Sequence, residues 1–435
     1  MTWLDKTKLK KQLVRTVTEA GFAAPKEMQL KTLSRIIGGQ DVIAVGPEGS
    51  GKTTAYVLAV LNRFNHAPDG VPLVLILVPD QERVEAVIAQ FDLLNTNKSI
   101  SIVGLYATPG IEAQMDALAD GADIVVATPD RARAIYLKLA LNLNKIELFI
   151  VDDAELIIKQ GTQLQVAELA NSITKAQRLV FTEVLHDKLH KMIAPFMKNP
   201  ATVEVEEIGE AKLELHPQLL YHVPNFGTKL NLLNLFMQDD ELFTKTVVFV
   251  NTKQTAEKIY KTLQNSKKQD IAVLNQWFGA KGFDDIAAFK HAPDSRVLIV
   301  VNDEEEEAAI DLDDMPFLIH FELPVDKEMF LNRVTNDNPE ATEETMAITF
   351  STDIELAMVR KIEQASGQKI PVAELPDELV IAKEKKAADP DAKSKHKTDE
   401  PVVGAAFHEK KASNVKNYNY SSGTKAKMNM KKKHG

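Results

Sequence analysis

Short, continuous apolar runs alternate with stretches of helical period along most of the chain. The first series comprises Asp41–Val45, Leu73–Val78, Asp123–Ala127, Leu148–Val151 and Arg178–Phe181. A second follows at Thr246–Val250, Ile271–Leu274, Arg296–Val301, Pro316–Phe321 and Thr345–Phe350. Hydrophobicity that is continuous rather than alternating predicts strands covered on both faces, hence parallel sheets with helices between them. The pattern predicts an α/β fold in two domains, with the polar stretch Val203–Glu210 as their connector. The length of 435 residues agrees, since roughly 150 residues per domain gives about two to three units.

Beyond Lys383 the apolar period gives way to Lys, Ala, Asp, Ser and Asn. The stretch from Lys383 to Gly435 holds 14 Lys against 6 Asp or Glu, a net of +8, so the total of −10 leaves −18 on the remainder. A segment so poor in aliphatic residues cannot offset its ordering entropy by burial, which predicts a disordered tail over 383–435. The total charge alone argues against a nucleic-acid partner, but the division into an acidic body and a basic tail removes that objection. Tyr418 and Tyr420, among Lys416, Lys425 and Lys427, add stacking capacity for bases, although such a tail also serves as a solubilising linker.

With 44% apolar and 26% charged residues the chain as a whole sits near the composition of globular proteins. The absence of cysteine excludes disulfides, thiolate metal sites and cysteine nucleophiles. The charged N-terminus lacks the apolar core of a secretory signal, and no apolar run approaches the roughly 18 residues of a membrane helix. A cytoplasmic protein with no membrane partner is expected.

Chemistry enters at Gly46-Pro-Glu-Gly-Ser-Gly-Lys-Thr, which matches G-x-x-x-x-G-K-[ST] between an apolar run and a helix-compatible stretch. In that context the backbone N–H groups of the loop converge on phosphate oxygens, Lys52 neutralises the β- and γ-phosphates, and the Thr53 hydroxyl is a Mg²⁺ ligand. Gly49, Ser50, Gly51, Lys52, Thr53 and Thr54 are the candidate nucleotide contacts. A second acidic site should end another buried strand, and Leu148–Val151 runs directly into Asp152, Asp153 and Glu155. Charge at the end of a buried strand is costly unless a cation meets it. The same carboxylates would also suit a helix N-terminus.

These motifs, together with Gln29 placed 17 residues before Gly46, resemble the DEAD-box RNA helicases over about residues 1 to 375. The resemblance implies two tandem RecA-like P-loop domains, spanning 1–207 and 208–375, with ATP and Mg²⁺ as cofactors and RNA, held mostly by its backbone, as partner. It makes Gln29 the adenine ligand, Trp3 a stacking partner for the base, and Lys52, Asp152 and Asp153 the catalytic set, with Thr53 and Asp152 on the metal. RNA contacts are implied for Pro79 and Glu82 in the motif Ia-like Pro-Asp-Gln-Glu, and for Thr128, Pro129 and Arg131 in the motif Ib-like stretch. Asn251 and Thr252 stand in the motif IV-like stretch, and Arg333 in motif VI. Phe181-Thr182-Glu183 occupies the place of Ser-Ala-Thr.

The pattern breaks where hydrolysis is controlled. The second motif II residue, glutamate in the family, is Asp153, one methylene shorter, and the last is lengthened to Glu155. The two arginine-finger positions of motif VI fall on Asn336 and Pro339, and motif V carries Glu304 to Glu307 where the family has arginine. An ATP-dependent RNA helicase is therefore expected, with turnover weakened by the missing arginines. A hydrolysis-impaired, ATP-gated RNA-binding or scaffold protein and an unrelated P-loop ATPase are the competing readings.

Overall fold

The computed structural model describes residues 9–22, 24–63, 70–206, 213–264, 271–277, 279–302, 312, 314–336 and 345–383. Trp3, Pro339, Glu304 to Glu307 and the tail after Lys383, with its lysines out to Lys433, lie outside them.

The first domain opens with helices α1 (Lys11–Glu19) and α2 (Glu27–Ile37). Strand and helix then alternate through β1 (Val42–Val45), α3 (Lys52–Arg63), β2 (Val74–Leu77), α4 (Gln81–Leu94), β3 (Ile102–Leu105) and α5 (Ile111–Ala119). They continue through β4 (Ile124–Ala127), α6 (Pro129–Leu137), β5 (Leu148–Val151), α7 (Ala154–Lys159), α8 (Gln163–Ser172), β6 (Gln177–Thr182), α9 (Asp187–Ile193) and β7 (Ala201–Glu204). The seven strands form one parallel sheet in the order β3-β4-β2-β5-β6-β1-β7.

The second domain repeats the scheme with β8 (Gln218–His222), α10 (Phe226–Gln238), β9 (Thr246–Val250), α11 (Lys253–Gln264), β10 (Ile271–Leu274), β11 (Gly282–Phe283) and α12 (Ile286–His291). It closes with β12 (Val297–Val301), β13 (Phe317–His320), α13 (Lys327–Val334), β14 (Met346–Ser351) and α14 (Leu356–Ser366). Its parallel order is β11-β10-β12-β9-β13-β14-β8. Two tandem α/β domains are thus the observed class.

Period-two geometry explains why the predicted strands are apolar throughout. Val42, Ala44, Val74 and Ile76 pack into the core on one face of the first sheet, while Ile43, Val45, Leu75 and Leu77 pack into the other. All ten predicted runs became strands. Four strands escaped the pattern, and each lies at or beside a sheet edge. β7, Ala201-Thr-Val-Glu, falls within the expected connector: it pairs on one side only, with β1, so alternate residues face solvent and the run looks polar. The connector between the sheets therefore begins after Glu204 rather than at Val203. β3, β8 and β11 were hidden for the same reason, having few fully covered positions.

The chain stays on the second domain past 375. Leu379 packs against its core, the Ala382 N–H donates to Thr228 Oγ1 at 3.1 Å and Asn225 Nδ2 donates to the Ala382 carbonyl at 2.8 Å. Among the described residues no helix is long and apolar enough to cross a membrane.

Candidate nucleotide-binding site

In a parallel sheet, loops leaving the carboxyl ends of adjacent strands are neighbours, and that edge gathers the predicted residues. β1, β6 and β5 are successive, so the loops that begin at Gly46, Glu183 and Asp152 open side by side. The Gly46 N–H donates to the Thr182 carbonyl at 3.0 Å, tying the P-loop to the end of β6.

Three glycines shape the loop. Gly49 and Gly51 have φ of +81° and +91°, the left-handed region that glycine enters without penalty. A Cβ on Gly46 would lie 2.6 Å from Met28 Cε, and one on Gly51 would lie 2.7 Å from Gln29 Nε2. The second contact brings Gln29 against the P-loop. Gln29 is buried and its Oε1 accepts from the Lys26 backbone N–H at 3.1 Å, which fixes the amide with Nε2 towards Gly51. Lys26 also donates through Nζ to the Gly49 carbonyl.

Lys52 begins α3 and is 6% exposed. Its Nζ donates to the Gly46 carbonyl at 2.7 Å and the Pro47 carbonyl at 3.1 Å, inside the curve of the loop. A buried ammonium held only by neutral carbonyls, at a helix N-terminus, is a site prepared for an anion. Ser50 and Thr54 flank it, Ser50 buried with its hydroxyl donating to the Pro47 carbonyl at 2.8 Å.

Asp152 faces this cradle from β5. Its Oδ2 accepts from Thr53 Oγ1 at 3.3 Å and from the Tyr56 hydroxyl at 2.9 Å, while Oδ1 accepts from the Asp153 N–H at 3.0 Å. Burial, then the neighbouring Asp153 charge, pushes the Asp152 carboxyl up to about 7. A carboxylate that costly to charge, beside a threonine hydroxyl, fits a divalent cation whose charge would reverse the shift. Among the described residues no cluster of three His, Asp or Glu side chains could enclose a metal. Thr53 and Asp152 with phosphate oxygens would suit Mg²⁺, which is usually bound through one or two carboxylates plus phosphates. Tyr56 was not foreseen, although its place three residues after Thr53 puts both on one helix face. Its ring packs 5.1 Å from Phe181.

Asp153 adopts φ +47° and ψ +48° as the N-cap of α7, a left-handed conformation that aspartate tolerates better than most side chains. Its Oδ2 meets Arg83 Nε at 3.3 Å. Glu155 turns inward instead: its Oε2 accepts from Thr182 Oγ1 at 2.6 Å and from the Glu183 N–H at 3.1 Å. Burial and the Asp153 charge raise it to about 7. The motif II departures thus separate two roles, with Asp153 paired to Arg83 and Glu155 joining α7 to β6.

The expected RNA contacts fall into two sets. β2 and β4 are neighbours, so Pro79 and Thr128 follow adjacent strand ends, with Glu82 exposed in the first turn of α4 and Thr128 capping α6 before Pro129. Arg131 donates to the Ala107 carbonyl. In the second domain Asn251 ends β9, where its N–H donates to Glu322 Oε2 at 2.7 Å and Nδ2 to the Leu323 carbonyl at 2.8 Å. Thr252 Oγ1 accepts from the Thr255 N–H at 3.1 Å, starting α11. Arg333 differs from the expectation, being buried at 6% exposure: Nη1 donates to Asn302 Oδ1 at 2.7 Å and the guanidinium lies 4.0 Å over the Phe249 ring. Stacked on an aromatic ring inside the second domain, Arg333 supports Asn302 and, through it, Asn251.

Between the domains lies a cleft of about 440 Å³, lined by Arg83, Glu155 and Glu183 from the first and by Asn251, Glu355 and Lys361 from the second. A wider open basin of about 730 Å³, along α2 and β7, has none of the P-loop residues in its wall.

Fold and site together define a protein of two α/β domains with a P-loop motif and a candidate nucleotide-binding edge on the first. A DEAD/DEAH box helicase family model matches residues 26–192, within the first domain. It is 25% identical over 373 residues to the RNA helicase CrhR of Synechocystis sp., covering 85% of this chain and 74% of the relative. It is also 25% identical over 373 residues to the ATP-dependent RNA helicase DeaD of Buchnera aphidicola subsp. Schizaphis graminum, covering 85% and 61%. The chain thus spans about three quarters and three fifths of the lengths of these relatives. A crystal structure of a DEAD box protein from Methanococcus jannaschii aligns with TM-score 0.47 and 22% identity, over 84% of this chain and 98% of that one.

Proposed function

We propose that this chain is an ATP-dependent RNA helicase of DEAD-box type, which binds ATP with Mg²⁺ at the P-loop and remodels RNA held across both domains. The convergence of Lys52, Thr53 and Asp152 at one strand edge carries this reading. Lys52 would leave the Gly46 and Pro47 carbonyls for the β- and γ-phosphates, a charged acceptor in place of two neutral ones. The N–H groups from Gly49 to Thr54 lie at the N-terminus of α3, where its dipole favours anions. Thr53 and Asp152 would hold Mg²⁺, which would supply positive charge against the charge developing on the phosphates. Asp153, paired with Arg83, is the carboxylate to orient the attacking water.

Gln29 is the base-specificity residue in this reading. Gln29→Ala is expected to lower ATP affinity about tenfold, near the worth of one or two hydrogen bonds, with a smaller loss for CTP. Equal losses for the two nucleotides in equilibrium binding would leave Gln29 only its support of Lys26 and Gly51.

The decisive measurement is ATP hydrolysis by the full chain with and without single-stranded RNA, beside Lys52→Ala. RNA stimulation that disappears in the variant supports the helicase reading; ATP binding without stimulated turnover favours the scaffold. The tail is tested by truncation after Lys383, which spares the Ala382 bonds to Asn225 and Thr228. RNA affinity is expected to fall, with a shallower dependence on salt because fewer phosphates are neutralised. An unchanged salt slope would leave the tail a solubilising role.

A further inference from the structure

The two motif VI positions that would bring arginine to the nucleotide hold Asn336 and Pro339. The second domain nonetheless sends a cation to the P-loop from α14. Lys361 Nζ lies 3.1 Å from Glu48 Oε2 on the P-loop and 3.9 Å from Glu183 Oε1 at the end of β6. These carboxylates border the cradle marked by Lys52, since Glu48 follows Pro47, whose carbonyl Lys52 contacts, and Glu183 follows Thr182, whose carbonyl holds Gly46. Arg83 of the first domain also reaches this rim, with Nη2 3.6 Å from Glu48 Oε1 and Nε 3.3 Å from Asp153 Oδ2. Two cations thus converge on one P-loop carboxylate, one from each domain.

The balance of charge favours an exchange of partners. Lys361 and Glu48 are 37% and 58% exposed in their side chains, so water screens their attraction and the pair contributes little. A terminal phosphate entering the cradle would bring at least two negative charges beside Glu48 and Glu183, and a flexible ammonium already at that rim can turn to it through rotations of its stem. Without such a cation the two glutamates would oppose the phosphate.

We propose that Lys361 is the second domain's cation for the terminal phosphate of bound ATP, leaving Glu48 for that phosphate and doing so in place of the absent arginines. This rests on the ATP reading above, and γ-phosphate discrimination separates the two ideas. Equilibrium binding of fluorescent ADP and of a non-hydrolysable ATP analogue to the full-length chain, with Mg²⁺, should be compared for the wild type, Lys361→Ala, Lys361→Arg, Glu48→Gln and Lys52→Ala. Lys361→Ala should weaken the ATP analogue about tenfold and ADP less than twofold; Lys361→Arg should restore most of the difference, and Glu48→Gln should tighten the ATP analogue. Equal weakening of both nucleotides, or no weakening of either while Lys52→Ala abolishes both, would overturn the proposal and leave Lys361 an interdomain strap. If Lys52→Ala bound both nucleotides normally, the ATP site itself would be wrong.

Discussion

Lys52→Ala is expected to lower affinity for ATP by at least about 100-fold, close to 2.7 kcal/mol, and to abolish hydrolysis. The expectation follows from position as much as from charge. Lys52 is the buried cation inside the P-loop curve, and its two carbonyl partners are neutral. Charge-assisted hydrogen bonds contribute roughly 1.5–3 kcal/mol each, and Lys52 is placed to make such bonds to two phosphates. The variant also leaves the Gly46 and Pro47 carbonyls without their donor, so its melting temperature should be read beside its affinity. A folded Lys52→Ala chain that keeps wild-type ATP affinity would remove the basis for the nucleotide site.

Glu155→Gln is expected to stabilise the nucleotide-free protein by an amount that grows as pH rises above about 4.5 and is complete above about 7. Burial and the Asp153 charge raise Glu155 from the ordinary 4.5 to about 7. A carboxyl whose pKa is higher in the folded state than in the unfolded one holds its proton more tightly when folded. Stability therefore declines as pH rises from about 4.5 towards 7, and above that the full cost is present. At about 1.4 kcal/mol per unit of pKa, that cost is of order 3 kcal/mol. Glutamine carries no charge at any pH, and its Oε1 can still accept from Thr182 Oγ1 and the Glu183 N–H. Thermal unfolding should show the variant and the wild type nearly alike at pH 4.5. At pH 8 the variant should melt several degrees higher, since 1 kcal/mol corresponds to about 2–4 °C for a domain of this size. A variant that melts lower at pH 8 would mean the ionised carboxylate is stabilised by its two donors more than burial opposes it.

The departures in motif II also look different once their surroundings are known. By sequence, Asp153 and Glu155 exchange lengths with their counterparts in the family. In the fold Asp153 sits at a left-handed N-cap beside Arg83, and the longer Glu155 reaches Thr182 across the gap to β6. Length was therefore redistributed between two places with different demands, and Arg83 compensates one of them.

Much of this was legible from the chain alone because it depends on local order. Covered strands are apolar at every position, so the two parallel sheets could be read from ten runs, and a P-loop needs only its own glycines, lysine and threonine in sequence. The acidic residues after β5 were readable because charge is rare at the end of a buried strand. Edge strands were not, since one open face gives β7 and its kind the composition of a loop. Arg333 shows the same limit at a single residue: its place in a motif implied an RNA contact, and only tertiary packing reveals that its guanidinium lies over Phe249.

What the sequence by itself determined was the class of fold, the phosphate loop and the absence of the expected arginines, all properties of short stretches read in order. Tertiary structure alone decided that a cation of the second domain reaches the P-loop. Lys361 and Glu48 are 313 positions apart, and no periodicity or motif joins them. They meet because the second domain sets α14 against the carboxyl edge of the first sheet, and a contact between two separately folded domains depends on how their surfaces pack.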